Sequence, residues 1–185
     1  ILRSMEIENN WKTSSIPYGV GGRFSVFTEG GFVTAALVGF DIEGFLAGAA
    51  SMDVACQEED IFKNPGLLSA LLKYIASERY GRIIEVFMPY SEALHSLSDW
   101  YVQLLSESLG KMSNTCLPYG RTPVAAVGTM DMHAQVQEHQ EGRLNKVVQF
   151  IKVKDWKHNL IVPDSYSQYE RLHSLSDVGI CDILN

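Results

Sequence analysis

The spacing of apolar residues divides the chain into helical and strand-like stretches, and from residue 64 onward the two kinds alternate. Leu67, Leu68, Leu71, Leu72 and Ile75 form the stripe of a helix with Asn64 as N-cap, Pro65 at its first position and Gly81 at its close. Arg82–Met88 contains the nearly continuous apolar run IIEVFM, the pattern of a strand buried on both faces. A second helical pattern follows from Tyr90 to Lys111, with Leu94, Leu97, Tyr101, Leu104 and Leu105 on one stripe, Ser91 as N-cap and Gly110 as a left-handed stop. Val124–Val127 reads as a second buried strand and Lys146–Val153 as a third strand, separated by a polar helix that begins near Asp131. Alternating helices and buried strands predict an α/β protein with a parallel sheet between helices.

Earlier in the chain, Trp11–Ile16 reads as a short strand ended by Pro17, and Phe32–Ala50 as two helices meeting near Gly39–Asp41. Met112–Pro123 has loop composition, and Trp156–Tyr169, broken by Pro163, reads as a surface crossing. Leu2–Glu8 resembles the end of a helix and Ser176–Asn185 the start of one, so the expectation is one domain over 1–185 within a longer protein.

Composition narrows the class of function. An apolar fraction of 46% with 20% charged residues is that of a chain able to build a core. A formal net charge of -7 gives no global attraction for nucleic acid or an anionic membrane, so an anionic ligand would need local cations or backbone amides. Cys56, Cys116 and Cys181 are odd in number and widely spaced, which points to reduced thiols in the cytoplasm, and no Cys/His spacing points to a metal.

Two stretches carry candidate chemistry. Glu107 falls in the last turn of the Tyr90–Lys111 helix, where unpaired carbonyls disfavour a carboxylate charge and raise proton affinity, as a general base near neutral pH requires. Position alone favours reading Glu107 as one more solvated surface glutamate, and something beyond position is needed to reverse that. Arg23 stands in the glycine-rich stretch Tyr18–Gly31, where a permanent cation can stabilise an oxyanion or hold a structural carboxylate. Gly19 and Gly21 begin a dinucleotide fingerprint, but Phe24 occupies its third glycine position, which argues against that reading. His133 lies in the first turn of the polar helix, where the helix dipole favours the neutral imidazole. His139 lies on a different face of it, so the two histidines are not a natural metal pair.

VGGRFS at Val20–Ser25, QLLSESLGK at Gln103–Lys111 and GTMDMHAQVQEHQEG at Gly128–Gly142 resemble, in order and spacing, characteristic segments of the glucose-6-phosphate isomerases. PYS at Pro89–Ser91 and FDIEGFLAGA at Phe40–Ala49 are similar to their bacterial members. The resemblance implies a flavodoxin-like sugar-isomerase (SIS) domain, the second of two in a cytoplasmic homodimer that interconverts glucose 6-phosphate and fructose 6-phosphate. It implies neither a metal nor a cofactor.

Carried over by position, the resemblance makes Glu107 the base moving a proton between C1 and C2. It makes Arg23, with Gly22 beside it, the stabiliser of the cis-enediolate, and Gln103 a substrate contact. His133 would assist ring opening from across the subunit interface. The family's serine- and threonine-rich phosphate site and its QxGVE...K lysine are not matched here, and Ser14 and Ser15 read as ordinary turn residues. Glu29, Gly30 and Tyr18 depart from the usual surroundings of the arginine motif while leaving Arg23 in place. The expectation is therefore that this segment alone is inactive. A non-catalytic sugar-phosphate-binding regulatory module is the alternative from another class.

Overall fold

The computed structural model describes residues 1–165 and 168–184; Tyr166, Ser167 and Asn185, which fall in the expected crossing and terminal helix, lie outside the described residues. Two compact units are present, residues 1–72 and 73–185.

In the first unit, α1 spans Leu2–Asn9, α2 Glu29–Leu37, α3 Ile42–Cys56, and α4, Pro65–Tyr80, begins. The bend between α2 and α3 comes where the sequence places it. Gly39 takes a φ of 71°, and Asp41 caps α3 by accepting a bond from the Gly44 amide at 2.9 Å. Asn64 does two jobs at the start of α4. Its Oδ1 accepts from Leu67 N at 2.9 Å, and its Nδ2 donates to the carbonyls of Cys56 and Glu58 at 2.8 and 2.9 Å. The helix thus starts where the preceding loop is tied down.

The expected strand at Trp11–Ile16 does not form: the segment is irregular and exposed. A strand satisfies its backbone only against a neighbour, and local β propensity does not supply one.

The second unit is built on a three-stranded parallel sheet. Its strands are β1 (Ile84–Pro89), β4 (Thr122–Ala125) and β5 (Lys146–Ile151), with β1 in the centre. Ile84 lies opposite Thr122 on one side and Lys146 on the other. Between β1 and β4 run α5 (His95–Leu109) and the small antiparallel pair β2 (Lys111–Met112) and β3 (Pro118–Tyr119). The helix α6 (Met130–Glu141) joins β4 to β5, and the short helices α7 (Glu170–His173) and α8 (Ile180–Leu184) follow. The loop expected at Met112–Pro123 therefore contains part of a hairpin, which composition does not reveal.

The alternation of β1 distributes its side chains to two faces. Val86 and Met88 join Ala126 in the buried cluster, with Met132 of α6 and Val148 packed against it. Phe87 turns to α5, stacking on Tyr101 at 4.3 Å between ring centroids. The result is a parallel sheet flanked by helices. No helix among the described residues is long and apolar enough to cross a membrane.

Candidate active site

The helix α5 differs in three details from its sequence reading. Glu92–Leu94 forms a separate 3-10 turn after Ser91, and α5 begins at His95 without a side-chain cap. Gly110 does end it, but at φ -71° and ψ 75° rather than in the left-handed region. A glycine is still required there, because a Cβ would stand 2.5 Å from the Ser106 carbonyl oxygen. The third difference is rotational: Ser98, not Leu97, lies fully buried with Leu105, while Leu97 remains 37% exposed. The Ser98 hydroxyl donates to the Ala126 carbonyl at 3.2 Å, which satisfies it inside the fold.

With that face inward, Gln103 and Glu107 stand one turn apart on the exposed side of the helix. Gln103 Nε2 donates to Glu107 Oε1 at 3.0 Å. The amide thus engages one carboxylate oxygen in the helix's last turn.

Arg23 lies in a 3-10 turn, Gly22–Phe27, of the first unit. Ser25 Oγ donates to Gly22 O at 2.6 Å, and Thr28 bonds Ser25 O through both its amide and its hydroxyl. The half-buried Arg23 guanidinium sits 5.3 Å from the Phe24 ring centroid, a cation–π distance. No atom comes within 4 Å of a Cβ built on Gly22, so its backbone is open to approach. Close packing here falls instead on Gly31, where a Cβ would meet Val26 O at 2.2 Å.

His133 is exposed in the first turn of α6, its amide bonded to Thr129 O at 3.0 Å. The start of that helix is fixed by Asp131, whose Oδ2 accepts from Val127 N at 2.7 Å. The Tyr90 ring lies where a Cβ on Gly128 would be, so the turn before α6 also needs glycine. The structure thus brings Gln103 and Glu107 together. His133 belongs to a separate helix of the same unit, and Arg23 with Gly22 to the first unit.

Sequence reasoning missed a buried charge cluster. Glu85, in the apolar run of β1, is 1% exposed. Its Oε1 meets both the Lys73 ammonium and the Tyr101 hydroxyl, and its Oε2 lies 3.1 Å from Arg121 Nε. Lys73 also donates to Tyr101 OH at 2.8 Å. Burial, and secondly the bond to Glu85, push the Tyr101 hydroxyl well above its usual pKa, so it stays protonated as a donor. The available signal was the lone acid inside IIEVFM, because a buried carboxylate needs partners.

The second unit is thus an α/β unit, a parallel sheet flanked by helices, with an amide-bonded carboxylate at the end of one of them. The sequence matches the phosphoglucose isomerase family over residues 7–172, and the chain belongs to that family. It is 38% identical to the glucose-6-phosphate isomerase of Carboxydothermus hydrogenoformans, over 98% of this chain and 40% of that protein. It is 41% identical to that of Methanocaldococcus jannaschii, over 81% of this chain and 36% of that protein. A crystal structure of a hypothetical protein from Thermus thermophilus superposes with a TM-score of 0.89 at 32% identity, covering 99% of this chain and 43% of that one. The chain thus spans about two fifths of the length of the curated relatives it matches.

Proposed function

We propose that the chain is a sugar-isomerase domain of a longer, two-domain, cytoplasmic glucose-6-phosphate isomerase. The observation that carries the reading is the exposed Gln103–Glu107 pair in a chain of this family. In the open-chain aldose, Glu107 removes the C2 proton, and the electron pair moves to the carbonyl oxygen to give a cis-enediolate. The O2 proton passes to O1, and return of the carbon-bound proton from Glu107 to C1 forms the ketose; one C–H bond breaks, one forms, and no external oxidant takes part. Arg23 and the open Gly22 backbone stabilise the enediolate charge, an interaction stronger in the transition state than in the ground state. Gln103 orients the base, and His133 serves ring opening across a homodimer interface, a role that suits its exposed position on a polar helix. Each such group contributes on the order of 10² to 10⁴ in rate.

The test is a coupled assay of fructose 6-phosphate isomerisation with the protein from its complete reading frame, beside Glu107→Gln. The expected result is robust turnover that falls about 10³-fold or more in the variant. Full activity in the variant would remove Glu107 from the mechanism. Saturable sugar-phosphate binding with no turnover in the unaltered protein would instead favour a regulatory module. The 185-residue segment alone is expected to be inactive, and turnover on the order of 10 per second or more by it would contradict that part of the reading.

A further inference from the structure

The inward face of α5 takes in most of its apolar stripe and reaches past it to a polar residue, Ser98. Leu105 is buried and Tyr101 and Leu104 are half-buried, whereas Leu97 is 37% exposed and Ser98, at the next position, is fully buried. Apolar residues flank both edges of the observed face: Leu97 and Leu104 on one side, Val102 and Leu109 on the other. Apolar contact is non-directional, so a helix with such flanks is not held to one sharp rotation by apolar packing alone. Hydrogen bonds are directional, and two of them fix the rotation. Ser98 Oγ bonds the Ala126 carbonyl, and Tyr101 OH bonds the carboxylate of Glu85. The second bond is anchored, since Glu85 is held by Lys73 and Arg121 and the Tyr101 ring is stacked on Phe87.

We propose that Tyr101 and Ser98 are positioning residues for the isomerisation, setting the rotation of α5 that aims Glu107; this rests on the reading of Glu107 as the base. In the observed rotation Glu107 lies nearly opposite the buried face. Turning the helix by only about 20° would carry a side chain at its outer radius through about 2 Å, whereas a displacement of about 1 Å can cost 10²-fold in rate. The buried charge cluster thus acts on catalysis through geometry, without touching the substrate.

The experiment uses the complete enzyme with Tyr101→Phe, which keeps the ring and removes the hydroxyl, Ser98→Ala as an independent second change, and each combined with Glu107→Gln. Tyr101→Phe and Ser98→Ala are each expected to lower kcat about tenfold with KM within twofold, and to have no further effect once Glu107 is Gln. A kcat within twofold of the unaltered enzyme in both single variants would overturn the proposal. So would an equal loss in the Glu107→Gln background, because the residues would then act independently of the base. If Glu107→Gln alone retained full activity, the base reading itself would fail, a result distinct from either of these. A variant that fails to fold leaves the other to decide.

Discussion

The two units solve the problem of stability differently. Every buried hydrophobic residue among the described residues, from Val86 to Cys181, lies in the second unit, most of them on or beside the parallel sheet. The first unit's only buried positions among them are the polar Thr28 and Asn64, while Leu37, Val38 and Phe62 are more than three-quarters exposed. Sheets gather distant segments side by side, so their side chains meet at once. A helix satisfies its backbone alone and can stand with its apolar face uncovered, although most helical stability in proteins comes from covering it. Arg23 and Glu107 therefore rest on unequal foundations: a turn closed by local hydrogen bonds, and a helix pinned to a packed sheet.

The contrast is most easily broken at Glu85. Replacing it with Ala strands Lys73 and Arg121 around an empty site, and the second unit is expected to lose about 3–5 kcal/mol, read by urea unfolding through Trp100 and Trp156 fluorescence. A loss below about 1 kcal/mol would mean that the cluster is not the anchor its geometry makes it. Met88→Ala, at 0% exposure, is expected to cost about 2–5 kcal/mol in the same experiment. In the first unit the costliest single change should be polar instead: Asn64→Ala is expected to lose about 1–2 kcal/mol, seen as faster amide exchange in α4, because cap and loop ties go together. Phe62→Ser, at 81% exposure, should stay within about 0.5 kcal/mol, and a larger loss would show a packing role that its exposure does not.

Two titrations sharpen the picture with smaller effects. The native Tyr101 keeps its proton above pH 10.0, where the unfolded chain's tyrosine gives it up. Its stabilisation is therefore complete below that pH and declines above it, so the stability gap between the protein and Tyr101→Phe should narrow as pH rises past 10.0. A gap independent of pH would mean the hydroxyl titrates alike in both states. At the exposed start of α5, the bond to Glu92 raises the His95 pKa above 6.5. Its small contribution is present below that pH and lost as pH rises through the raised value. Proton NMR should find the imidazole titrating above 6.5, and lower in Glu92→Gln; no change in that variant would remove Glu92 as the cause.

Much of this was legible along the chain. The alternation after residue 64, the cap at Asn64, the glycine stop at Gly81, the bend near Gly39 and the parallel α/β class all follow from local rules: periodicity, capping and backbone permissiveness. The motifs around Arg23, Glu107 and His133 carried the family, and the pairing of Gln103 with Glu107 follows from a four-residue helical spacing.

What the sequence did not decide is non-local. Trp11–Ile16 has strand-like residues but no strand beside it, and β2 exists only because β3 returns to it. Glu85 sits in an apolar run because Lys73, Tyr101 and Arg121 arrive from three other segments to neutralise and bond it. Likewise, α5 buries Ser98 more deeply than Leu97, and the Ala126 carbonyl just past β4 receives its directional bond. Periodicity reports which residues are apolar and therefore which elements form. The rotation of a helix, and with it the aim of a carboxylate, is settled by polar partners that only the folded chain brings within about 3 Å.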